Sequence, residues 1–312
     1  MAITAGMVKE LREMTGAGMM DCKKALNETN GNMEEAVEYL RKNGQAKAEK
    51  KAGRIAAEGL CKVLVDGDKT AAVVEVNSET DFVAKNEEFQ KFVTAVAQQA
   101  LNTTSADMDA FLAESWNVDA SKTVKEALVE KITVIGENLT IRRFEKVVAE
   151  SGCVVTYTHG GGRIGVIVEA DTAVVNDDVK EALSNVAMQI AALNPKYVST
   201  DEVSEEYKAH EKEILTEQIK NDPKMAGKPD KVIEGAVNGR LAKELKEVCL
   251  LEQVYVKAED GKQSVKQYID AVAKAAGADI TIKKFVRFET GEGLEKKVDD
   301  FAAEVAAQVA GN

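Results

Sequence analysis

The chain repeats itself. Ala57-Glu-Gly59-Leu-Cys61-Lys-Val63 matches Glu150-Ser-Gly152-Cys-Val154-Val-Thr156, and the following hairpin matches as well. Asp66-Gly67-Asp68 aligns with His159-Gly160-Gly161, and Val73-Val74 with Val166-Ile167, at an offset of 93. Farther on, Thr123-Val124-Lys125 matches Ser264-Val265-Lys266, and Gly136-Glu-Asn-Leu-Thr-Ile-Arg142-Arg143-Phe144 matches Gly277-Ala-Asp-Ile-Thr-Ile-Lys283-Lys284-Phe285, at a constant offset of 141. A duplicated unit folds as two like subdomains. The change of offset, 48 residues, requires an insertion in the second copy between Asn194-Pro195 and about Val248. Each copy reads as hairpin strands, one or more helices and a returning strand. That is an α+β class, two repeated sandwich subdomains with helices on an antiparallel sheet.

The insertion has its own pattern. Residues 201–220 and 230–247 are charged, with Tyr207, Ile214, Leu215 and Ile219, then Val232, Ile233, Val237, Leu241 and Leu245, at helical spacing. An antiparallel helical hairpin projecting from the second copy is expected, about residues 198–247.

The flanks are helical in pattern. Met7, Val8, Leu11 and Met14 form one stripe, and Thr15-Gly-Ala-Gly18 breaks it. A second helix runs near Met19 to Thr29 and stops at Asn30-Gly31. Asn32 caps a third, with Glu35 placed for a capping box and Met33, Ala36, Val37 and Leu40 inward. Met19 and Met20 are adjacent, about 100° apart on a helix, so at least one faces out. Lys47 to Arg54 reads as a charged linker. The tail carries Leu294, Val298, Phe301, Val305 and Val309 at helical spacing. The expected domains are therefore residues 1–55, 56–148, 149–288 with the hairpin, and 289–312.

Charge and cysteine usage narrow the function. Net charge is -12, which disfavours nucleic-acid binding through phosphate neutralisation. Residues 1–55 hold ten Lys/Arg and eight Asp/Glu, about +2, leaving -14 elsewhere, which suits steered docking on a protein surface. Cys22, Cys61, Cys153 and Cys249 form no CxxC pair, and with only His159 and His210 a metal site is not expected. No apolar run approaches 18 residues, and the N-terminus shows no leader pattern, so a membrane role is not expected and a reducing cytoplasm is. Gly160-Gly-Gly162-Arg-Ile-Gly165 fits GxGxxG formally, but it precedes a strand, so a hairpin turn is the reading. No P-loop, GxSxG, HExxH or EF-hand pattern occurs. A binding protein is expected, without catalytic residues or cofactor.

The most informative stretch is the junction after Val73-Val74-Glu75-Val76. Asn77-Ser78-Glu79-Thr80-Asp81-Phe82-Val83-Ala84-Lys85 leads from a strand pattern into a helix bearing Phe89, Phe92, Val93, Val96 and Ala97. Ser78, Thr80 and Asp81 are all good N-caps. The residues alone leave two readings: Asp81 caps the helix with Phe82 packed beneath it, or both project into a partner.

Three motifs together resemble the bacterial-type elongation factor Ts family. They are the run from Leu11 to Leu26 containing Thr15-Gly-Ala-Gly-Met19-Met20-Asp-Cys-Lys-Lys, the run Glu75-Val-Asn-Ser-Glu-Thr-Asp-Phe-Val-Ala-Lys85, and His159-Gly-Gly-Gly-Arg-Ile-Gly-Val166. The resemblance implies a ubiquitin-associated-like N-terminal three-helix domain, two related core subdomains, a helical hairpin and a C-terminal helix. It implies a guanine-nucleotide exchange factor for elongation factor Tu, met in its GDP-bound and nucleotide-free forms. On that resemblance Thr80, Asp81, Phe82 and Val83 displace Mg²⁺ and promote GDP release, and the factor leaves on GTP binding. Met19, Met20, Leu11, His159, Ile135 and Gly136 are the further partner contacts. On its own pattern, the charged hairpin either mediates self-association or stands free.

Overall fold

The computed structural model describes residues 2–225 and 227–296. Three helices open the chain: α1 Ala5–Thr15, α2 Met19–Glu28 and α3 Met33–Lys51. Thr4 caps α1 by accepting from the Met7 N–H, and Gly16 ends it at φ 67°. Val8, Leu11, Cys22, Ala25, Leu26 and Ala36 close a small core. Met14, expected on that stripe, is 62% exposed. It belongs to the last turn of α1 and lines a cleft of about 460 Å³ toward residues 119–134. Asn32 accepts from the Glu35 N–H, but the Glu35 carboxylate takes the Asn32 side-chain amide, so the capping box is half formed.

The charged stretch at residues 47–54 is a connection only at its end. Through Lys51 it is the last turn of α3, which continues because Gly44 and Ala48 are buried, and residues 52–54 follow as a turn. Gly44 lies so close to α7 (Val124–Ile135) that a Cβ would stand 3.0 Å from Thr133 Oγ1. The charges lie on the open side of a helix whose small residues face a neighbour, a pattern that charge alone conceals.

The duplicated units form two three-stranded antiparallel sheets. The first has order β1-β2-β3, with β1 Glu58–Asp66, β2 Thr70–Ser78 and β3 Thr140–Val148. The second has order β4-β5-β6, with β4 Cys153–His159, β5 Ile164–Thr172 and β6 Ile280–Glu289. Bulges fall at Glu75/Val76 and at Glu169/Ala170. These make Val168 the counterpart of Val74 in the second copy, one residue beyond the match read from sequence. The turn after His159 is one residue longer than the turn after Asp66, and this moves the offset to 94 along the second strand.

Alternate side chains of β2 serve two cores. Ala72, Val74 and Val76 pack under α5 (Glu87–Asn102) and α7, with the short α6 (Met108–Ala113) between those two in the chain. Ala71 and Val73 meet Val154, Ile167, Val286 and Phe288 from the second sheet. The sheets stack face to face, with α5 and α7 outside one and α8 (Asp177–Leu193) and α11 (Val265–Ala276) outside the other. This double burial explains why β2 is valine-rich on both faces. The copies share their polar fixtures. Asn86 and Asn176 cap α5 and α8, and Thr123/Glu126 and Ser264/Gln267 form complete capping boxes. Gln99 and Gln189 are buried at matching positions, accepting from the Asn117 and Val256 N–H groups.

The insertion is α9 (Glu205–Lys220) followed by α10 (Asp230–Val248), packed through Leu215, Ile219, Val237 and Leu241. Ile214 and Val232, expected in that seam, are exposed. The expected C-terminal helix lies largely beyond residue 296, outside the described residues. Among the described residues no helix is long and apolar enough to cross a membrane.

Candidate functional site

Strand β2 leaves the sandwich at Ser78, whose hydroxyl donates to the Thr80 carbonyl at 3.0 Å. Thr80 then caps a one-turn helix, α4 (Asp81–Ala84), its hydroxyl accepting from the Val83 N–H at 3.3 Å. Of the three possible caps, Thr80 takes the role, so Asp81 is free to face outward. Asn86 starts α5 at once, accepting from Glu88 and Phe89 N–H groups at 2.8 and 3.2 Å. The tip is a helical turn held between two caps.

Its four residues divide by role. Ala84 is buried and Val83 packs partly against the α5 core. The Phe82 ring is 79% exposed. The Asp81 carboxylate lies 2.6 Å from Lys85 Nζ, and that hydrogen bond holds its pKa below the usual range. The same ammonium stands 6.0 Å from the Phe82 ring centroid. The exposed surface is thus an aromatic ring beside an ion pair.

A second segment grips the root of this tip. Gly136 ends α7 at φ 88°, and Glu137 follows. Its carboxylate accepts from Glu79 N at 3.0 Å, Thr80 N at 3.1 Å and Thr80 Oγ1 at 2.7 Å. In return Glu79 accepts from Asn138 N at 2.6 Å. The end of the N-terminal module joins in. Lys51 donates to the Gly136 carbonyl, and Asn138 donates its side-chain amide to the Arg54 carbonyl at 2.8 Å.

The fold therefore brings Thr80–Val83 and Ile135–Gly136 together; Ile135 is half-buried and Gly136 exposed. His159 ends β4, exposed, its Nδ1 3.1 Å from the Tyr157 hydroxyl. The turn after it lies across β1, with Cys61 N donating to the Gly162 carbonyl at 2.7 Å. A groove of about 650 Å³, lined by Leu60, Lys62, Glu87, Gln90, Thr158 and Gly161, separates that turn from the start of α5. Met19 and Met20, 58% and 74% exposed, open α2 on the N-terminal module. Both face out, where the sequence required only one. Lys47 Nζ binds Asp21 at 2.8 Å and ties that helix to α3. Leu11 does not fit as a surface contact: it is fully buried in the N-terminal core, because it is the central residue of the α1 stripe. Its place is in the core of the module that carries the methionines.

Sequence reasoning missed Glu137, Arg54 and Lys85. The signal for Glu137 is in the repeat. Seven residues separate Ser78 from Asn86, but only three separate Thr172 from Asn176, so the second copy lacks the tip; at the position matching Glu137 it has Ala278.

Among the described residues no cluster of three or more His, Cys, Asp or Glu is placed to hold a metal. The four cysteines are free and buried, and burial pushes the Cys61 thiol up to about 12, far from a reactive thiolate.

A sequence model of the family described as Elongation factor TS matches residues 79–292. The chain is 56% identical over 308 residues to an Elongation factor Ts of Clostridioides difficile, covering 98% of this chain and 99% of the relative. It is 52% identical over 305 residues to that of Clostridium perfringens, with 97% and 98% covered. With that of Trichlorobacter lovleyi it shares 51% over 312 residues, with 98% of each covered.

Proposed function

The chain belongs to the elongation factor Ts family, and from that premise we propose that it is a guanine-nucleotide exchange factor for elongation factor Tu, working by binding and without chemistry of its own. An exchange factor must bind the nucleotide-free partner more tightly than the nucleotide-bound one, and linkage then makes factor and nucleotide weaken each other equally. The observation that carries this reading is the Phe82 ring, exposed on a helical turn that is capped at both ends. Burying a phenyl ring in a partner pocket is worth about 1.5–3 kcal/mol. It drives release only if that pocket exists chiefly in the nucleotide-free form.

The Mg²⁺ step is part of the same proposal. Asp81 supplies negative charge at the tip, but Lys85 neutralises much of it in the free protein. The ring is therefore the wedge, and Asp81 perturbs the metal's coordination once Lys85 is drawn to another acceptor. Met19 and Met20 provide adaptable apolar contact, His159 and Ile135–Gly136 frame the tip, and GTP binding expels the factor. Modules 1–55, 56–148, 149–288 and 289–312 divide this work, and a cytoplasmic setting follows from the partner. The α9–α10 hairpin, with Ile214 and Val232 exposed, is the surface we assign to self-association.

The test is the release of fluorescent GDP from purified elongation factor Tu with unlabelled GDP in excess. This protein should accelerate it in proportion to concentration until saturation. Release at the spontaneous rate would end the exchange-factor reading.

A further inference from the structure

We propose that Glu137 is a positioning residue for the exchange surface: its carboxylate fixes the angle at which the Asp81–Phe82 turn leaves the fold. This deepens, and rests on, the exchange-factor reading above.

Three observations support it. First, one carboxylate accepts three hydrogen bonds, from Glu79 N, Thr80 N and Thr80 Oγ1, all at 2.7–3.1 Å. These are the donors at the hinge between β2 and α4. Bonds to an ionised acceptor are shorter and roughly twice as strong as neutral ones. Second, the grip is reciprocal, because Glu79 accepts from Asn138 N at 2.6 Å, so two loops 58 residues apart clasp each other through two carboxylates. Third, the chain contains its own control. The second copy has the same helix end, with Gly277 at φ 69° matching Gly136, but its strand-to-helix connection is four residues shorter and Ala278 stands where Glu137 does. The carboxylate is present in the copy that has a tip and absent from the copy that does not. A role in capping α7 would apply equally to both.

Thr80 couples the clasp to the ring. Its hydroxyl donates to Glu137 Oε1 while accepting from Val83 N, so the orientation of the cap depends on the carboxylate. Without Glu137 the turn still folds but swings about Ser78, and the ring loses its fixed line of approach. Misplacement by about 1 Å costs on the order of a hundredfold in positioned reactions, and a wedge in a pocket obeys the same geometry.

The experiment uses the full chain as wild type, Glu137→Ala, Glu137→Gln, Phe82→Ala and the double variant Glu137→Ala/Phe82→Ala. Fluorescent GDP release is followed to saturation, and amide hydrogen exchange is measured on the protein alone. Expected for Glu137→Ala is a maximal release rate lower by roughly ten- to a hundredfold, with the half-saturating concentration changed by less than about threefold, since the methionine patch is untouched. Glu137→Gln, which keeps one acceptor oxygen, recovers part of the rate. The double variant is no slower than Phe82→Ala alone. Amides of Glu79 and Thr80 exchange faster in Glu137→Ala, while those of α5 do not. An unchanged maximal rate, additive losses in the double variant, or unaltered protection at Glu79 and Thr80 would each overturn the proposal. If wild type itself fails to accelerate release, the exchange reading falls, and the amide data alone decide whether the clasp holds the tip.

Discussion

Asp81 illustrates how little a residue's name settles. As an N-cap it would have been spent on its own backbone; as the first residue of α4 it faces outward and pairs with Lys85 at 2.6 Å. If its charge acts on a partner's metal, Asp81→Ala should slow GDP release several-fold with Mg²⁺ present, and the deficit should shrink once Mg²⁺ is chelated. Stopped-flow release with and without chelator checks this; an equal deficit in both conditions contradicts a metal role. Glu75 is the inward counterpart. It is fully buried between the sheets, accepting from Arg142, Arg143 Nε at 2.6 Å, Asn77 and Gly291 N at 2.8 Å. Burial works to raise its pKa, but these donors outweigh it and hold it below the ordinary glutamate value. A depressed folded pKa stabilises fully above the unfolded value of about 4.3. That stability is lost as pH falls through the folded pKa. Glu75→Gln should therefore cost about 3 kcal/mol at pH 7, because it removes the buried anion that Arg142 and Arg143 share and leaves Arg143 only Glu292. In thermal unfolding the gap between variant and wild type should close as pH drops below about 4. The tip was legible because strand and helix patterns meet there. Glu137 leaves only an indirect trace, the Ala278 of the second copy, because its partners lie 57 and 58 residues away and the folded sheet brings them together.

At the level of elements, caps and repeats carried most of the information. Thr123 and Ser264 announce α7 and α11 through full capping boxes, and the 141-residue offset aligns them. The full length of α3 is hidden in the sequence because Gly44 and Ala48, the residues that extend it, are poor apolar signals and gain their meaning only against α7. The α9–α10 hairpin is a separable element. Its roots are joined by a bridge between Tyr197 and Cys249, and its core is its own. Replacing residues 205–247 with a short Gly-Ser linker should leave the main unfolding transition within a few degrees of wild type and keep most of the GDP-release activity. Light scattering on the same variant should show the mass of a single chain; persistent association would place self-contact elsewhere.

At the scale of the molecule, two sheets stacked face to face with helices outside form one packed block. The tip projects from the first copy, and the turn after His159 reaches across from the second. The N-terminal module is fastened to that block by the close crossing of α3 and α7 and by Lys51 on the Gly136 carbonyl. The duplication predicted the layers. It missed the one-residue shift in register because turn length, not strand pattern, sets it. The proposed wedge depends on this packing, because a wedge opens a pocket only if its mounting yields less than the partner does. The decisive comparison is GDP release from elongation factor Tu at saturating factor, wild type against Phe82→Ala, with circular dichroism confirming that both are folded. The wedge predicts that the variant still binds the nucleotide-free partner but loses roughly ten- to a hundredfold in maximal rate, the equivalent of about 1.5–3 kcal/mol of ring burial. A folded Phe82→Ala protein that releases GDP as fast as wild type would contradict it.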